Sequence, residues 1–293
     1  MATTLRSQAP AHRAASTRAG ARRLTGRAAI YLAVALVGLV FLFPFAWLVA
    51  TSLKADREIF AYPPTVYPHT IRWANYADAV SYIPFLRYLV NTIVICAGNA
   101  IGILFSCSLT AYAFARLRWP GRDVVFVLIL ATMMLPFQVT MIPLYIIFRS
   151  LGWINTFAPL IVPAFFGDAF SIFLFRQFFL TIPFELTDAG RIDGCNEFRL
   201  YWNIVLPLSR PALATVALLT ILGNWTDFLR PLIYLNDQGL WTLSLGLMGF
   251  LGEHSAAWGP LMAASVIFTL PLIVLFFFTQ KTFVQGIVTS GLK

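Results

Sequence analysis

Charge is scarce in this 293-residue chain: 11% of its residues are Asp, Glu, Lys or Arg, 59% are hydrophobic, and mean hydropathy is +0.77. An ordinary soluble domain carries about 25% charged residues. A water-facing globule is therefore excluded, and lipid must be the solvent for much of the chain. Histidine is rarer still. His12, His69 and His254 all fall outside the long apolar runs, which excludes a histidine relay or a zinc site within the membrane. Lysine is confined to Lys54, Lys281 and Lys293, none in a G-x-x-x-x-G-K-[ST] loop, so the chain has no phosphate cradle of its own. Cys96, Cys107 and Cys195 lack metal-ligand spacing and read as buried structural thiols. A G-x-S-x-G elbow is absent. Gly167-Asp168 matches part of an intramembrane aspartyl protease signature, but Phe165 stands where a glycine belongs, and a second Asp motif is missing. Catalysis by this chain is not expected, nor is a metal site.

What is present is a set of long uncharged runs. A bilayer core of roughly 30 Å needs about 20 helical residues. Six segments meet or approach that length: residues 28–53, 88–115, 124–148, 150–175 (interrupted by Asp168), 211–229 (interrupted by Asp227) and 255–280. Their apolar runs are continuous rather than alternating, which indicates helices and not barrel strands. The expected fold class is all-α, a polytopic membrane protein of about six transmembrane helices.

With the N-terminus placed in the cytoplasm, Lys54, Arg57, Arg72, Arg87, Arg149 and Arg230 fall outside, and the other fifteen of the 21 basic residues fall inside. That asymmetry predicts both termini in the cytoplasm. The net charge of +9 then reflects topology, with the anionic inner leaflet as its partner. Because the charge is scattered over loops, no nucleic-acid partner is expected. Residues 1–27 contain no acid, and the apolar run that follows exceeds the roughly 7 to 15 residues of a signal-peptide core. They read as a flexible cytoplasmic tail ahead of a membrane domain at 28–293.

The most informative stretch lies between the fourth and fifth spans, at 183–211. It is too long for a tight turn, and it carries Glu185, Asp188, Asp193 and Glu197 among several aromatics. Thr187 or Glu185 can begin a short helix, and Gly194 suits a left-handed stop or a close backbone contact. Phe198, Tyr201 and Val205 recur at helical spacing on one face of a second short helix, and Pro207 and Pro211 open the next span. Such a knob suits docking to a cytoplasmic partner. On physics alone, an interfacial amphipathic loop with no partner is the better fit.

The segment resembles the E-A-A motif of binding-protein-dependent ABC importer permeases. Asp188-Ala189-Gly190 occupies the E-A-A place, Ile192-Asp193-Gly194 the I-D-G core, and Ile204-Val205-Leu206-Pro207 the closing I-x-L-P. Asp188 replaces the usual Glu and Gly190 the second Ala. Further similarity to carbohydrate-type, maltose-type permeases covers Ser52-Leu53-Lys54, Asn75-Tyr76, Pro136 to Pro143, Asn224 to Phe228, and the tail from Gln280.

The resemblance implies a non-catalytic permease subunit of a sugar importer in a bacterial or archaeal plasma membrane. Its implied partners are a second permease, two cytoplasmic ATPases that bind ATP and Mg, and an extracytoplasmic solute-binding protein, with no cofactor in this chain. It also implies that residues 183–211 form a coupling helix seated in an ATPase cleft. Glu185, Asp188 and Asp193 would orient or pair there, Ala189, Gly190 and Gly194 would allow close approach, and Pro207 would fix the exit angle. A secondary transporter or channel working without an ATPase is the competing class, but its inverted repeats are not visible.

Polar residues inside the spans are candidate pathway lining. Asp168 is either a pathway group or interhelix lock, or a partnered structural acid. Asn224, Trp225 and Asp227 would suit sugar hydroxyls, with interhelical packing and an interfacial belt as the alternative. Gln138 would either line the pathway or relieve carbonyls freed by a kink at Pro136. The external loop at 236–258 is a candidate contact for the binding protein.

Overall fold

The computed structural model describes residues 11–252 and 257–291, with side chains over 27–252 and 257–280. The architecture is helical, and among the described residues there is no β-strand. By length and composition, four segments could each cross a membrane, and two further pairs could do so as bent spans. The long helices are α1 (Ala11–Ser52), α2 (Phe85–Arg116) and α8 (Trp258–Gly291). The remaining apolar segments are broken. Helix α3 (Arg122–Thr132) and α4 (Phe137–Ser150) meet at 95°. The fourth span runs Ala158–Thr181 and ends in α5 (Ala169–Thr181). The knob helix α6 (Phe184–Ile192) follows, and α7 (Arg210–Trp225) leaves the segment Glu197–Leu208 at 78°.

Several expectations change in detail. Helix α1 begins at Ala11, inside the segment expected as a tail. The fourth span starts at Ala158 rather than residue 150, because the chain turns at Gly152 and Asn155, both at positive φ. The break between α3 and α4 is not relieved by Gln138, which is exposed. There the amides of Met133, Met134 and Leu135 donate to the carbonyls of Leu130, Ala131 and Thr132, each at 3.1 Å. Those tight i to i−3 bonds satisfy the groups a kink would otherwise orphan. Of the three thiols, Cys96 and Cys107 are buried but Cys195 is half-exposed, because it sits just past the knob helix rather than within the bundle.

Helix α2 is the central post. It contributes Cys107, Ala111, Tyr112 and Phe114 to the core near the knob, where they meet Phe175, Phe179, Tyr201 and Val205. It contributes Phe85, Tyr88 and Cys96 to the core at its other end, against Trp225, Leu243 and Phe250. Ile95 joins a third cluster with Phe148, Leu160 and Tyr234. By contrast, α1 leaves Ile30 to Phe43 largely exposed, a surface suited to lipid.

The polar residues of α2 are equally ordered. Asn91 Nδ2 donates to the carbonyls of Gly239 and Trp241, both at 3.0 Å, and Thr92 Oγ1 accepts from Leu243 N at 2.8 Å. Asn99 Nδ2 donates to Leu160 O at 2.7 Å, Ser106 Oγ to Ala164 O at 2.9 Å, and Arg116 Nη2 to Phe179 O and Ile182 O, both at 2.5 Å. Thr92, Asn99 and Ser106 recur every seven residues, so they lie along one face. Each meets backbone at the end of a short helix or in a 3₁₀ segment. In lipid no water can satisfy such groups, so α2 supplies the bonds that allow its neighbours to break.

Leucine at position 91 preserves bulk but leaves two carbonyls without a donor. Asn91→Leu is expected to lower stability by about 1–3 kcal/mol, read as an earlier thermal unfolding transition in detergent.

Candidate functional site

The knob is built from the chain's own turn chemistry. Pro183 sits extended ahead of α6, and Glu185 lies in the first turn, where a carboxylate complements the helix dipole. Thr187 does not begin the helix. It is fully buried, and its Oγ1 donates to Phe184 O at 2.8 Å. At the far end Cys195 N donates to Gly190 O at 2.9 Å and Gly194 N to Arg191 O at 3.0 Å. With Gly194 at φ +80°, this is a Schellman closure, which needs a left-handed residue after the helix.

Asn196 then caps the next turn, its Oδ1 accepting from Arg199 N at 2.9 Å. A π-helical stretch, Tyr201–Val205, follows. It shifts the register, so Leu200, Tyr201 and Val205 are buried while Phe198 is 62% exposed. Phe198 was expected on the inward face; the extra residue in the turn moves it outward. Pro207 lies in the short helix Leu206–Leu208, just before the bend at Ser209.

Glu185, Asp188, Ala189, Asp193 and Gly194 are exposed on the knob, as is Ile192. Gly190 is not. A Cβ there would lie 2.6 Å from Leu200 Cδ2 and 3.0 Å from Ile204 Cδ1, so its close approach is to the chain's own following helix. Around Gly194 a Cβ meets open space; glycine is required there by φ, not by crowding.

Asp188 carries a partner within the chain. Its carboxylate accepts from Arg191 Nη1 at 2.7 Å, and Arg191 Nε donates to Glu197 Oε1 at 3.0 Å. Glu197 Oε2 in turn accepts from the Tyr112 hydroxyl of α2 at 2.6 Å. The Glu197 hydrogen bond, reinforced by Asp188, raises the Arg191 pKa above its ordinary value. Arg191 therefore stays cationic at every physiological pH.

Away from the knob, α2, α5 and α7 line an open cavity of about 460 Å³. Its wall includes Asn99, Asp168, Thr220, Asn224, Asp227 and Arg230. A second hollow of about 250 Å³ shares Asn99, Asp168 and Arg230 and reaches Tyr234. Asp168 is the N-cap of α5: its Oδ2 accepts from Ser171 N at 2.8 Å and from Ser171 Oγ at 2.7 Å. Asp227 lies 3.8 Å from Arg230 Nε, and the Arg230 guanidinium stands 5.4 Å from the Phe137 ring centre. The wall thus offers carboxylates, amides, a hydroxyl and one cation, the groups that hydrogen-bond a polyhydroxylated molecule.

Asp168, Asn224 and Asp227 therefore share one cavity, and two of the other residues singled out from the sequence do not join them. Trp225 is buried against α8, its Nε1 donating to Phe268 O at 3.1 Å, which is the packing alternative. Gln138 is exposed and off the wall. Sequence reasoning missed Asn99, Thr220 and Arg230 on the wall, and Tyr112 and Arg116 beneath the knob. For Asn99 the available signal was the series of polar residues at helical spacing inside the second span.

A bundle of membrane-crossing helices, with a capped acidic knob on one connection and a polar cavity among broken spans, defines a membrane transport subunit. The chain belongs to the family described as "Binding-protein-dependent transport system inner membrane component", whose model matches residues 98–289. It is a permease of that type of importer. It is 32% identical to the arabinooligosaccharides transport system permease protein AraQ of Bacillus subtilis, over 91% of this chain and 96% of that protein. It is 34% identical to the sn-glycerol-3-phosphate transport system permease protein UgpE of Salmonella typhi, over 86% and 92%. Its fold matches a crystal structure of a bacterial ABC transporter involved in the import of the acidic polysaccharide alginate. That match has a TM-score of 0.77 and 23% identity, and it covers 96% of this chain and 100% of that one.

The cap at Asp168 separates two of its properties. Asp168→Ala is expected to cost about 1 kcal/mol of stability through loss of the N-cap. Asp168→Asn, which caps as well, is expected to unfold in detergent at close to the wild-type temperature.

Proposed function

We propose that this chain forms half of the translocation pathway of an ATP-driven importer of a sugar or sugar derivative, and that α6 docks to a separate ATPase. The observation that carries this reading is the knob. It is a short helix with Glu185, Asp188 and Asp193 exposed, held by a left-handed Gly194 and seated on its own bundle through Gly190. A motor below must act through differential contact with such a rigid element, because equal contact in both states transmits nothing. Closure of two ATPases would swing the attached helices and switch the cavity between inward- and outward-facing states.

The partners in this reading are a second permease, two cytoplasmic ATPases that bind ATP and Mg, and an extracytoplasmic solute-binding protein. Both termini lie in the cytoplasm, as the basic-residue asymmetry favours. The polar wall around Asp168, Asn224 and Asp227, together with relatives named for arabinooligosaccharides and sn-glycerol-3-phosphate, supports a sugar or sugar derivative as cargo. The binding-protein contact assigned to the loop at 236–258 is part of the same proposal; residues 253–256 of that loop lie outside the described residues.

Affinity purification through a tag on this chain is expected to bring down an ATPase, and the chain alone in liposomes is expected to move no sugar. Position 194 tests the docking directly. Gly194→Ala meets open space and bears only the left-handed backbone cost of about 1–2 kcal/mol, so coupling should persist. Gly194→Trp adds bulk on the docking face and should insert normally yet lose transport-linked ATPase stimulation. Normal uptake by the Trp variant, or pumping with no companion subunit, would overturn the reading.

A further inference from the structure

The inner end of α2 holds the knob from both sides. Tyr112 and Arg116 are one helical turn apart and so project from one face. Arg116 is 5% exposed, and its Nη2 grips two carbonyls at the end of α5, those of Phe179 and of the C-cap residue Ile182. Its guanidinium also lies 4.4 Å from the ring centre of Phe184, the first residue of the knob helix. Its Nε and Nη1 meet no hydrogen-bond partner among the described residues. A buried cation is costly when it is not fully matched; here it faces the negative end of a helix dipole and fixes where α5 stops. On the other side, the Tyr112 hydroxyl holds Glu197, Glu197 holds Arg191, and Arg191 holds Asp188. The ring of Tyr112 also packs edge-on against Tyr201 at 5.4 Å, and the Tyr201 hydroxyl lies 2.8 Å from Ser108 Oγ of the same helix.

Entry and exit of the knob are thus stapled to a single turn of α2. The same helix reaches the cavity about 20 Å away, thirteen residues on at 1.5 Å each, where Asn99 stands in the wall. Between the two, α2 is keyed tightly into the broken fourth span. A Cβ at Gly98 would lie 2.8 Å from Ile161 Cγ2, and one at Gly102 would lie 2.9 Å from Phe165 Cδ2. A push on the knob cannot be absorbed by a soft hinge at its base, because the base is a packed helix.

We infer that Tyr112 and Arg116 are positioning residues that make α2 the rod through which displacement of the knob reaches the cavity wall. This rests on the docking reading above, so its test has an arm that does not need an ATPase. Cys195 is half-exposed beside the knob while Cys96 and Cys107 are buried, so a nitroxide attached at Cys195 reports knob motion.

The primary variant is Tyr112→Phe, which removes one oxygen and leaves the packing in place. In the permease pair in lipid nanodiscs, without ATPase, the label should become several-fold more mobile than in wild type. In the full complex, transported solute per ATP hydrolysed should fall about tenfold, as loss of one hydrogen bond to a charged group implies. Glu197→Gln keeps an acceptor for Tyr112 but loses the ion pair with Arg191, and should fall between the two. Arg116→Lys keeps the charge without the fork, and should loosen the label in the same direction.

Unchanged label mobility in both Tyr112→Phe and Arg116→Lys would overturn the seat. A loosened label with wild-type solute per ATP would overturn transmission through α2. If the wild-type complex shows no ATP-dependent uptake at all, the docking reading fails, while the label arm still decides whether α2 holds the knob.

Discussion

Backbone that leaves regular helix inside a bilayer must find its hydrogen bonds within the protein, because lipid offers none. That constraint organises this molecule. Helix α2 carries Asn91, Thr92, Asn99, Ser106 and Arg116 inward, and these bond groups on the loop around Gly239 to Leu243, on the segment Leu160 to Ala164, and at the end of α5. The unbroken helix thus sustains the broken ones. Were α2 apolar on that face, the carbonyls of Leu160 and Ala164 would lose their donors, and the cavity beside them would lose its shape.

The breaks are what create the cavity and the knob. The fourth span does not run through; it stops before Gly167, and Asp168 restarts it as the cap of α5. This places a carboxylate at depth without leaving it bare, since Ser171 satisfies one of its oxygens twice. The other end of α5 is stopped by Arg116, and the knob begins at once. One short helix therefore joins the cavity wall to the knob, with its N-terminus capped by its own side chain and its C-terminus by its neighbour's.

Charge on the knob is arranged for geometry more than for bare attraction. The resemblance to the E-A-A segment implies that Asp188 would orient or pair in an ATPase cleft. In the folded chain it is already bonded to Arg191, so any partner cation would have to share or displace that bond. An exposed ion pair of this kind contributes about 0–1 kcal/mol on its own, so sharing costs little. Glu185 and Asp193 stand exposed beside it. Ile192, 87% exposed, adds an apolar contact to the same face, which a docked partner would bury.

Some of this was legible in the residues taken singly. The paucity of charge and the length of the apolar runs determined a helical membrane protein of about six crossings, since no other solvent suits such a chain. Glu185 as a first-turn acid, Gly194 as a left-handed stop and Pro207 ahead of the next span marked out the knob, because only glycine takes that turn without cost. The tertiary structure decided the rest. Phe198 and Val205 look equivalent by period, yet a π-helical turn separates them into exposed and buried. Trp225 and Asn224 are neighbours in sequence, yet a helix sends one to α8 and the other to the cavity. Arg116 counted only as a basic residue near a membrane face until folding buried it under the knob. Periodicity reports which residues share a face; it carries no record of where a helix breaks or which neighbour's carbonyl lies opposite, and those are set by packing between segments far apart in the chain.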